Sequence, residues 1–166
     1  RLWAAGSNQY GQLGDGTTKN RPTPVHIMSD VKSVSAGGSH TLIVKKDGTL
    51  WTAGRNDYGQ LGRGEGTNNT DPNPLPVQIM SDVKSVSAGY YHTLIVKEDG
   101  TLWTAGRNDA GQLGNGTTSG SNPVPVQIMS DVKSVSAGDS HTLVVKEDGT
   151  LWAAGRNGYG QLGKGI

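Results

Sequence analysis

The stretch Ser-Asp-Val-Lys-Ser-Val-Ser-Ala-Gly occupies residues 29–37 and recurs without change at residues 81–89 and 130–138. Each copy is followed, two residues later, by the pair His-Thr. A turn-forming Ser-Asp pair precedes the valines of each copy and a glycine ends it, which is typical of a short β-strand. Identical units about 50 residues apart indicate a repeat architecture, in which neighbouring units stack to bury a shared core.

A tryptophan and a Gly-Gln-Leu-Gly tetrapeptide, with an asparagine between them, extend each repeat. The copies differ in length in the segment after the tetrapeptide, which is 15–24 in the first copy and lengthens to 63–76 in the second. A segment that tolerates insertion is a surface loop. We predict a single repeat domain over residues 1–166, with units at approximately 1–16 (partial), 17–64, 65–116 and 117–166.

Each repeat contains four short segments with strand character, which in the first copy are residues 24–28, 31–36, 40–45 and 49–53. Asp47-Gly48 joins the last two. Asp-Gly between β-rich runs predicts a hairpin, because a type I′ turn needs positive φ and glycine supplies it without strain. Glycine or proline interrupts the helical periods, so the chain is predicted to be all-β.

The third segment predicts how the strands are arranged. Residues 41–44 read Thr-Leu-Ile-Val, an apolar run rather than an alternation, so both faces of the sheet are expected to be buried. Radially stacked four-stranded sheets meet that requirement, and four strands in about 50 residues are typical of a propeller blade. The predicted fold is a β-propeller arc of three four-stranded blades and one extra tryptophan strand.

Three elements together carry a family resemblance: Gly-x-Asn-x-x-Gly-Gln-Leu-Gly, Ala-Gly-x-x-His-Thr and Asp-Gly-x-Leu-Trp. They resemble the repeats of the regulator of chromosome condensation family over essentially the whole chain, in near-identical copies of a bacterial style. The resemblance implies a propeller, seven-bladed in the best-known members. It also implies diverse functions, among them guanine-nucleotide exchange on a small GTPase, chromatin binding and enzyme inhibition, so the fold alone does not give the function.

The chain has fewer repeats than a closed propeller, which generally needs 4 to 8 blades. A blade face covers roughly 300 Å², and leaving one exposed costs about 4 kcal/mol if half of it is apolar. We therefore expect either an excerpt of a longer array or a homo-oligomer that completes the ring.

Composition excludes several classes of protein. The 15 Lys and Arg against 14 Asp and Glu are spread without a basic stripe, so no nucleic-acid partner is expected. There is no cysteine for a disulfide or a thiolate site, and no apolar run of about 18 residues predicts a membrane span. The compartment stays open, with an extracellular or cell-surface location favoured over a cytoplasmic one.

The repeated histidines suggest a metal site, but a residue that recurs with the blade is most simply a part of the blade. Paired Ser-His residues do not form a triad, because neighbours on a strand point to opposite faces. We predict no catalytic residue, cofactor or metal, and hence no enzyme. The predicted structural residues of the repeat are Trp3, Trp51, Trp103, Trp152, His40, His92 and His141.

Positions that differ between near-identical copies are where a binding surface could be specialised, and tyrosine is favoured at interfaces. Neutral drift after duplication is an equal alternative. The interface candidates are Tyr10, Tyr58, Tyr90, Tyr91, Tyr159 and Asp139.

The function predicted from these residues is a non-enzymatic propeller module that binds a protein partner of unknown identity through its inter-strand loops. The alternatives are a self-assembling scaffold built from the blades, nucleotide exchange on a small GTPase, as the resemblance implies, and a glycan-binding or hydrolytic propeller, which the lack of paired carboxylates disfavours.

Overall fold

The computed structural model describes residues 1–65 and 68–164, and in them the regular structure is entirely β. The strands are β1 (Leu2–Gly6), β2 (Arg21–Met28), β3 (Val31–Ala36), β4 (His40–Lys45), β5 (Leu50–Gly54), β6 (Val77–Met80), β7 (Val83–Ala88), β8 (His92–Lys97), β9 (Leu102–Arg107), β10 (Ser121–Met129), β11 (Val132–Ala137), β12 (His141–Lys146) and β13 (Leu151–Gly155).

The strands form four antiparallel sheets that follow one another along the chain. Sheet I pairs β1 with β2, sheet II has the order β3-β4-β5-β6, sheet III repeats that order as β7-β8-β9-β10, and sheet IV contains β11-β12-β13. The first strands of sheets II, III and IV contact one another in succession, so the sheets converge at that edge. Successive sheets that share one convergent edge are the blades of a propeller arc, as predicted.

The grouping of strands into blades differs from the prediction, which placed the proline-containing segment 24–28 first in its blade. That segment belongs to β2, which pairs with the preceding tryptophan strand β1. Among the described residues there are therefore two complete four-stranded sheets rather than three. Each blade takes its last strand from the next sequence unit.

The Ser-Asp turn explains this offset, because it connects two sheets rather than closing a hairpin. Asp82 has a left-handed φ of 57°. Its counterparts Asp30 and Asp131 have φ values of 58° and 57°. The N–H of Val83 donates to the carbonyl of Gly48 in sheet II at 2.9 Å. The carbonyl of Asp82 accepts from the N–H of Glu98 in sheet III at 2.8 Å. The turn thus bridges consecutive blades.

The core lies between the blades. Leu42, Val44 and Leu50 of sheet II pack against Val83 and Ile95 of sheet III, and all five are fully buried. A matching cluster joins sheets III and IV. The apolar run of the third segment is therefore buried on both faces, as its sequence predicted.

The outward faces of the first and last sheets are more exposed. Trp3 in sheet I and Trp152 in sheet IV are 53% and 51% exposed, whereas Trp51 and Trp103 are partly buried. This is the exposure expected of an arc of blades. A seven-bladed ring and completion by a second copy remain predictions.

Candidate protein-binding face

All six interface candidates lie at one end of the blades. In sheet II the start of β4 pairs with the end of β5, since His40 is opposite Gly54. The loop before each histidine and the loop after each tryptophan strand therefore emerge together. We call this end the tyrosine face, after Tyr10, Tyr58, Tyr90, Tyr91 and Tyr159.

The histidines beneath this face connect one blade to the next. His40 Nε2 lies 3.0 Å from Thr93 Oγ1, and His92 Nε2 lies 3.1 Å from Thr142 Oγ1. The Thr93 hydroxyl donates in turn to the carbonyl of Gln60 at 2.6 Å. Since that hydroxyl uses its hydrogen on the carbonyl, the histidine Nε2 carries the ring hydrogen and donates to threonine.

Burial keeps these histidines neutral. It lowers the pKa of His40 to about 3 and that of His92 to about 4, and in each case burial is the largest cause. The Nδ1 atoms of both rings are buried and have no hydrogen-bond partner. No group of three metal-ligating side chains occurs in the described parts of the chain. The histidines are thus placed as connectors between blades.

Buried asparagines hold the loops that carry the variable residues. Asn108 Nδ2 donates to Asn115 Oδ1 at 3.1 Å and to the Thr117 carbonyl at 3.2 Å. Asn108 Oδ1 accepts from the N–H of Leu113 at 3.0 Å. The same asparagine-to-leucine bond occurs in the other copies.

The tetrapeptide glutamine positions the tyrosines directly. Gln12 Oε1 accepts from the N–H of Tyr10 at 3.0 Å, and Gln60 Oε1 accepts from the N–H of Tyr58 at 2.9 Å. The fourth copy repeats the bond between Gln161 and Tyr159. A constant side chain therefore fixes the backbone of a residue whose own side chain varies.

Replacing Asn108 by alanine is expected to lower the free energy of unfolding by about 2 kcal/mol, because the buried N–H of Leu113 loses its acceptor. Chemical denaturation of the two proteins measures the difference. Asn69→Ala, which removes one exposed bond to the N–H of Asp71, is the matched control and should cost no more than about 0.5 kcal/mol. Equal costs for the two variants would contradict this role for Asn108.

Tyr91 is the centre of a mixed cluster of aromatic rings and guanidinium groups. Its ring centroid lies 4.6 Å from that of Tyr90 and 4.8 Å from that of Tyr58. The guanidinium carbons of Arg55 and Arg107 lie 5.0 and 5.5 Å from the Tyr91 centroid. These distances are those of favourable ring pairs and cation–π contacts.

Both guanidinium groups are neutralised within the cluster. Arg55 binds Asp57 through two bonds of 2.9 and 2.8 Å, and Arg107 binds Asp109 through two bonds of 2.9 and 2.6 Å. The Arg107 hydrogen bonds lower the pKa of Asp109, and burial raises the pKa of Tyr91. The result is a preorganised surface without excess charge.

The remaining candidates lie around this cluster. Tyr10 extends it, because the Arg55 guanidinium also lies 4.9 Å from the Tyr10 centroid. Tyr159 projects from the last loop and is 88% exposed, with Arg156 5.7 Å from its ring. Asp139 is exposed, and its carbonyl accepts from the N–H of Tyr90 at 3.2 Å. The structure therefore brings four tyrosines together, places Asp139 beside them and leaves Tyr159 on a separate loop.

The sequence interpretation missed the arginines and their aspartates. Arg55, Arg107 and Arg156 recur at the same position of three copies, so a search for positions that vary between copies does not select them. The first copy has Ser7 at that position, so the position does vary between copies and the comparison could have identified it. Two copies, moreover, place an aspartate two residues after the arginine.

Comparison with known proteins decides the family. A family model described as the RCC1-like domain matches residues 1–166. The chain belongs to the RCC1-like domain family. The regulator of chromosome condensation of Homo sapiens is 35% identical over 66% of this RCC1-like domain, and the ultraviolet-B receptor UVR8 of Arabidopsis thaliana is 35% identical over 67% of it. The matched parts are 27% and 26% of those proteins.

Solved structures agree with this family. Yeast RCC1 (Prp20), in a crystal structure with Kap60, superimposes on 93% of this RCC1-like domain with a TM-score of 0.79 and 26% identity, over 39% of that chain. Human WBSCR16 has the same fold, with a TM-score of 0.76 and 24% identity over 92% of the domain and 42% of that chain. The domain thus spans about a quarter of the length of its curated relatives and two fifths of these structures.

No helix among residues 1–65 and 68–164 has the length and apolarity to cross a membrane.

Proposed function

We propose that this RCC1-like domain is a non-enzymatic binding module that holds a protein partner on its tyrosine face. One observation carries the proposal: four of the tyrosines that vary between copies converge with Arg55 and Arg107 into a single preorganised surface. The family supports it, since yeast RCC1 (Prp20) has been solved in complex with Kap60.

The chemistry of this surface suits protein recognition. Tyrosine brings a large, rigid contact area and a hydroxyl at low entropic cost. The arginines are held by cation–π contacts and by their own aspartates, so little ordering is required when a partner binds. Because the ion pairs are satisfied internally, the face presents aromatic area rather than a strong electric field.

Photo-crosslinking tests the proposal. The full chain carrying a photoreactive phenylalanine analogue at Tyr90 should capture a partner from an extract of the source cells, and the same analogue at Thr150, at the opposite end, should not. Affinity for the captured protein should fall at least threefold on Tyr90→Ser, because an exposed aromatic ring is lost from the interface. Asp148→Ser, in the exposed hairpin at the far end, is the matched control. A partner that crosslinks from Thr150 and is insensitive to Tyr90→Ser would overturn the proposal.

Nucleotide exchange on a small GTPase is a second candidate, which rests on the family. Fluorescent-nucleotide release from a panel of small GTPases measures it, and no acceleration at micromolar concentrations of the domain would exclude it. The family also includes relatives within much larger enzymes: the E3 ubiquitin-protein ligase HERC2 of Homo sapiens is 30% identical over 71% of this domain, which matches only 2% of that protein.

A scaffold that assembles through its blades is the third candidate, and the exposed Trp3, Leu151 and Trp152 favour it. Light scattering across micromolar concentrations tests this reading. A discrete oligomer whose mass falls on Trp152→Ser would support assembly through the blade faces, and a monomer at all concentrations would exclude it.

A further inference from the structure

An arginine lying over a tyrosine and held by an aspartate recurs on the tyrosine face. Arg55 lies over Tyr10 at 4.9 Å and is bound by Asp57. Arg107 lies over Tyr58 at 4.9 Å and is bound by Asp109. In both cases the ring face and the carboxylate hold the cation together.

Tyr90 and Asp139 bring an aromatic ring and a carboxylate to one cavity, and the described residues that line it include no arginine. Tyr90 is 44% exposed and Asp139 is exposed, and their loops are joined by the backbone bond from the Tyr90 N–H to the Asp139 carbonyl. The Asp139 carboxylate forms no ion pair within residues 1–65 and 68–164, and no cation lies over the Tyr90 ring in that part of the chain.

A cavity of about 240 Å³ lies between these two residues at the convergent edge of the blades. Its walls include the backbone of Gly38, Gly89 and Gly138. The Tyr90 ring rests against Gly38, where an added Cβ would lie 2.9 Å from Tyr90 Cγ. One water needs only about 10 to 15 Å³ of such a volume, so a planar guanidinium group fits.

We propose that Tyr90 and Asp139 form the docking site for an arginine side chain of the protein partner. The inference rests on the proposed function, because it assigns the partner's chemistry at the same face. The Asp139 carboxylate favours a cation, and the arginines of the described residues around it are otherwise engaged. Arg55 and Arg107 are paired with their own aspartates, and Arg156, which lines a second cavity with Asp139, lies over the Tyr159 ring. Arginine suits the site better than lysine, because its planar group can stack on the ring while binding the carboxylate through two bonds.

The site contributes specificity more than affinity. An exposed cation–π contact and an exposed ion pair each change an affinity by up to about fivefold. An isolated arginine is therefore expected to bind weakly, in the high millimolar range, and selectively. The partner's remaining contacts with Tyr58 and Tyr91 would supply the rest of the binding energy.

Chemical-shift mapping of the ¹⁵N-labelled full chain tests the site, with the tripeptide acetyl-Gly-Arg-Gly-amide as the probe. Shifts should concentrate at Gly38, Gly89, Tyr90, Gly138 and Asp139. The matched peptide with citrulline, which has the same shape without the charge, should bind at least fivefold more weakly. Asp139→Asn should weaken the arginine peptide at least threefold, and Asp148→Asn, an exposed carboxylate at the opposite end, should leave it unchanged.

Equal binding of the two peptides, no binding, or insensitivity to Asp139→Asn would overturn the arginine site. The same spectra report whether each variant is folded, so a loss of binding cannot be mistaken for a loss of structure. If the peptide test fails but a partner is still captured from Tyr90, the arginine site is rejected and the proposed function of the tyrosine face stands. Peptide binding at Asp139, with the partner captured from Thr150 instead, would overturn the proposed function of the face and leave an arginine-binding site that this partner does not use.

Discussion

Lowering the pH from 7 to 5 is expected to reduce the free energy of unfolding by about 3 to 4 kcal/mol, because two histidines are buried in their neutral form. Burial lowers the pKa of His40 to about 3 and that of His92 to about 4, from the ordinary value of 6.5. Between pH 6.5 and 4 these two histidines therefore bind protons in the unfolded chain but not in the folded chain. Each histidine then costs up to about 1.4 kcal/mol per pH unit.

Denaturant titrations at half-unit steps between pH 7 and 5 measure this slope. The aspartates whose pKa is lowered, such as Asp15 with a value of about 2, lose their stabilising effect only below about pH 4, near the unfolded value of 3.9. They therefore do not interfere in this window. His92→Gln should remove about half of the slope, and His26→Gln, at an exposed site, should keep all of it. A flat profile would show that the two rings are not held neutral.

Replacing Gly89 by alanine is expected to lower the free energy of unfolding by about 3 kcal/mol or more, or to prevent folding, because the site has no room for a methyl group. The added Cβ would collide with Cε1 and Nδ1 of His92 and would lie 2.7 Å from the carbonyl of Gly138. Relief requires the ring to move away from Thr142. The substitution would then break the connection between sheets III and IV.

Gly158→Ala is the matched control for this experiment. Its backbone does not have positive φ, and the nearest atom to an added Cβ, Arg156 Nε, is 3.8 Å away. We expect a change within about 0.5 kcal/mol, as for other surface substitutions. Thermal unfolding by circular dichroism compares the two variants, and similar melting temperatures would refute the close packing of glycine on histidine.

The sequence predicted much of the fold because its signals are local. The Asp-Gly hairpins, the apolar strand at residues 41–44 and the repeat period each follow from neighbouring residues. The assignment of strands to blades did not follow in this way. The Ser-Asp pair looks like a hairpin turn, and only the tertiary bonds of Asp82 and Val83 to different sheets show that it connects two blades.

The candidate site was predicted only in part for a similar reason. Comparison between copies found Tyr58 and Tyr91, since these positions vary. It gave no information on their contact, because Tyr58 belongs to a loop of sheet II and Tyr91 to a loop of sheet III. It did not select Arg107, because an arginine recurs at that position. Residues that repeat can serve both the blade and its surface.

The contacts that hold the tetrapeptide loops run in one direction along the chain, because each loop is held by the blade that follows it. The loop of sheet II is held from the side of the next blade, through Thr93 on the Gln60 carbonyl and through Pro123 packed on Gly59. Sheet I is held in the same direction, through Thr41 on the Gln12 carbonyl. Under a pulling force, unravelling from the C-terminal side releases the restraint on each preceding loop in turn. Loss of the last blade should therefore free the loop of the blade before it, whereas loss of the first blade leaves the later loops held.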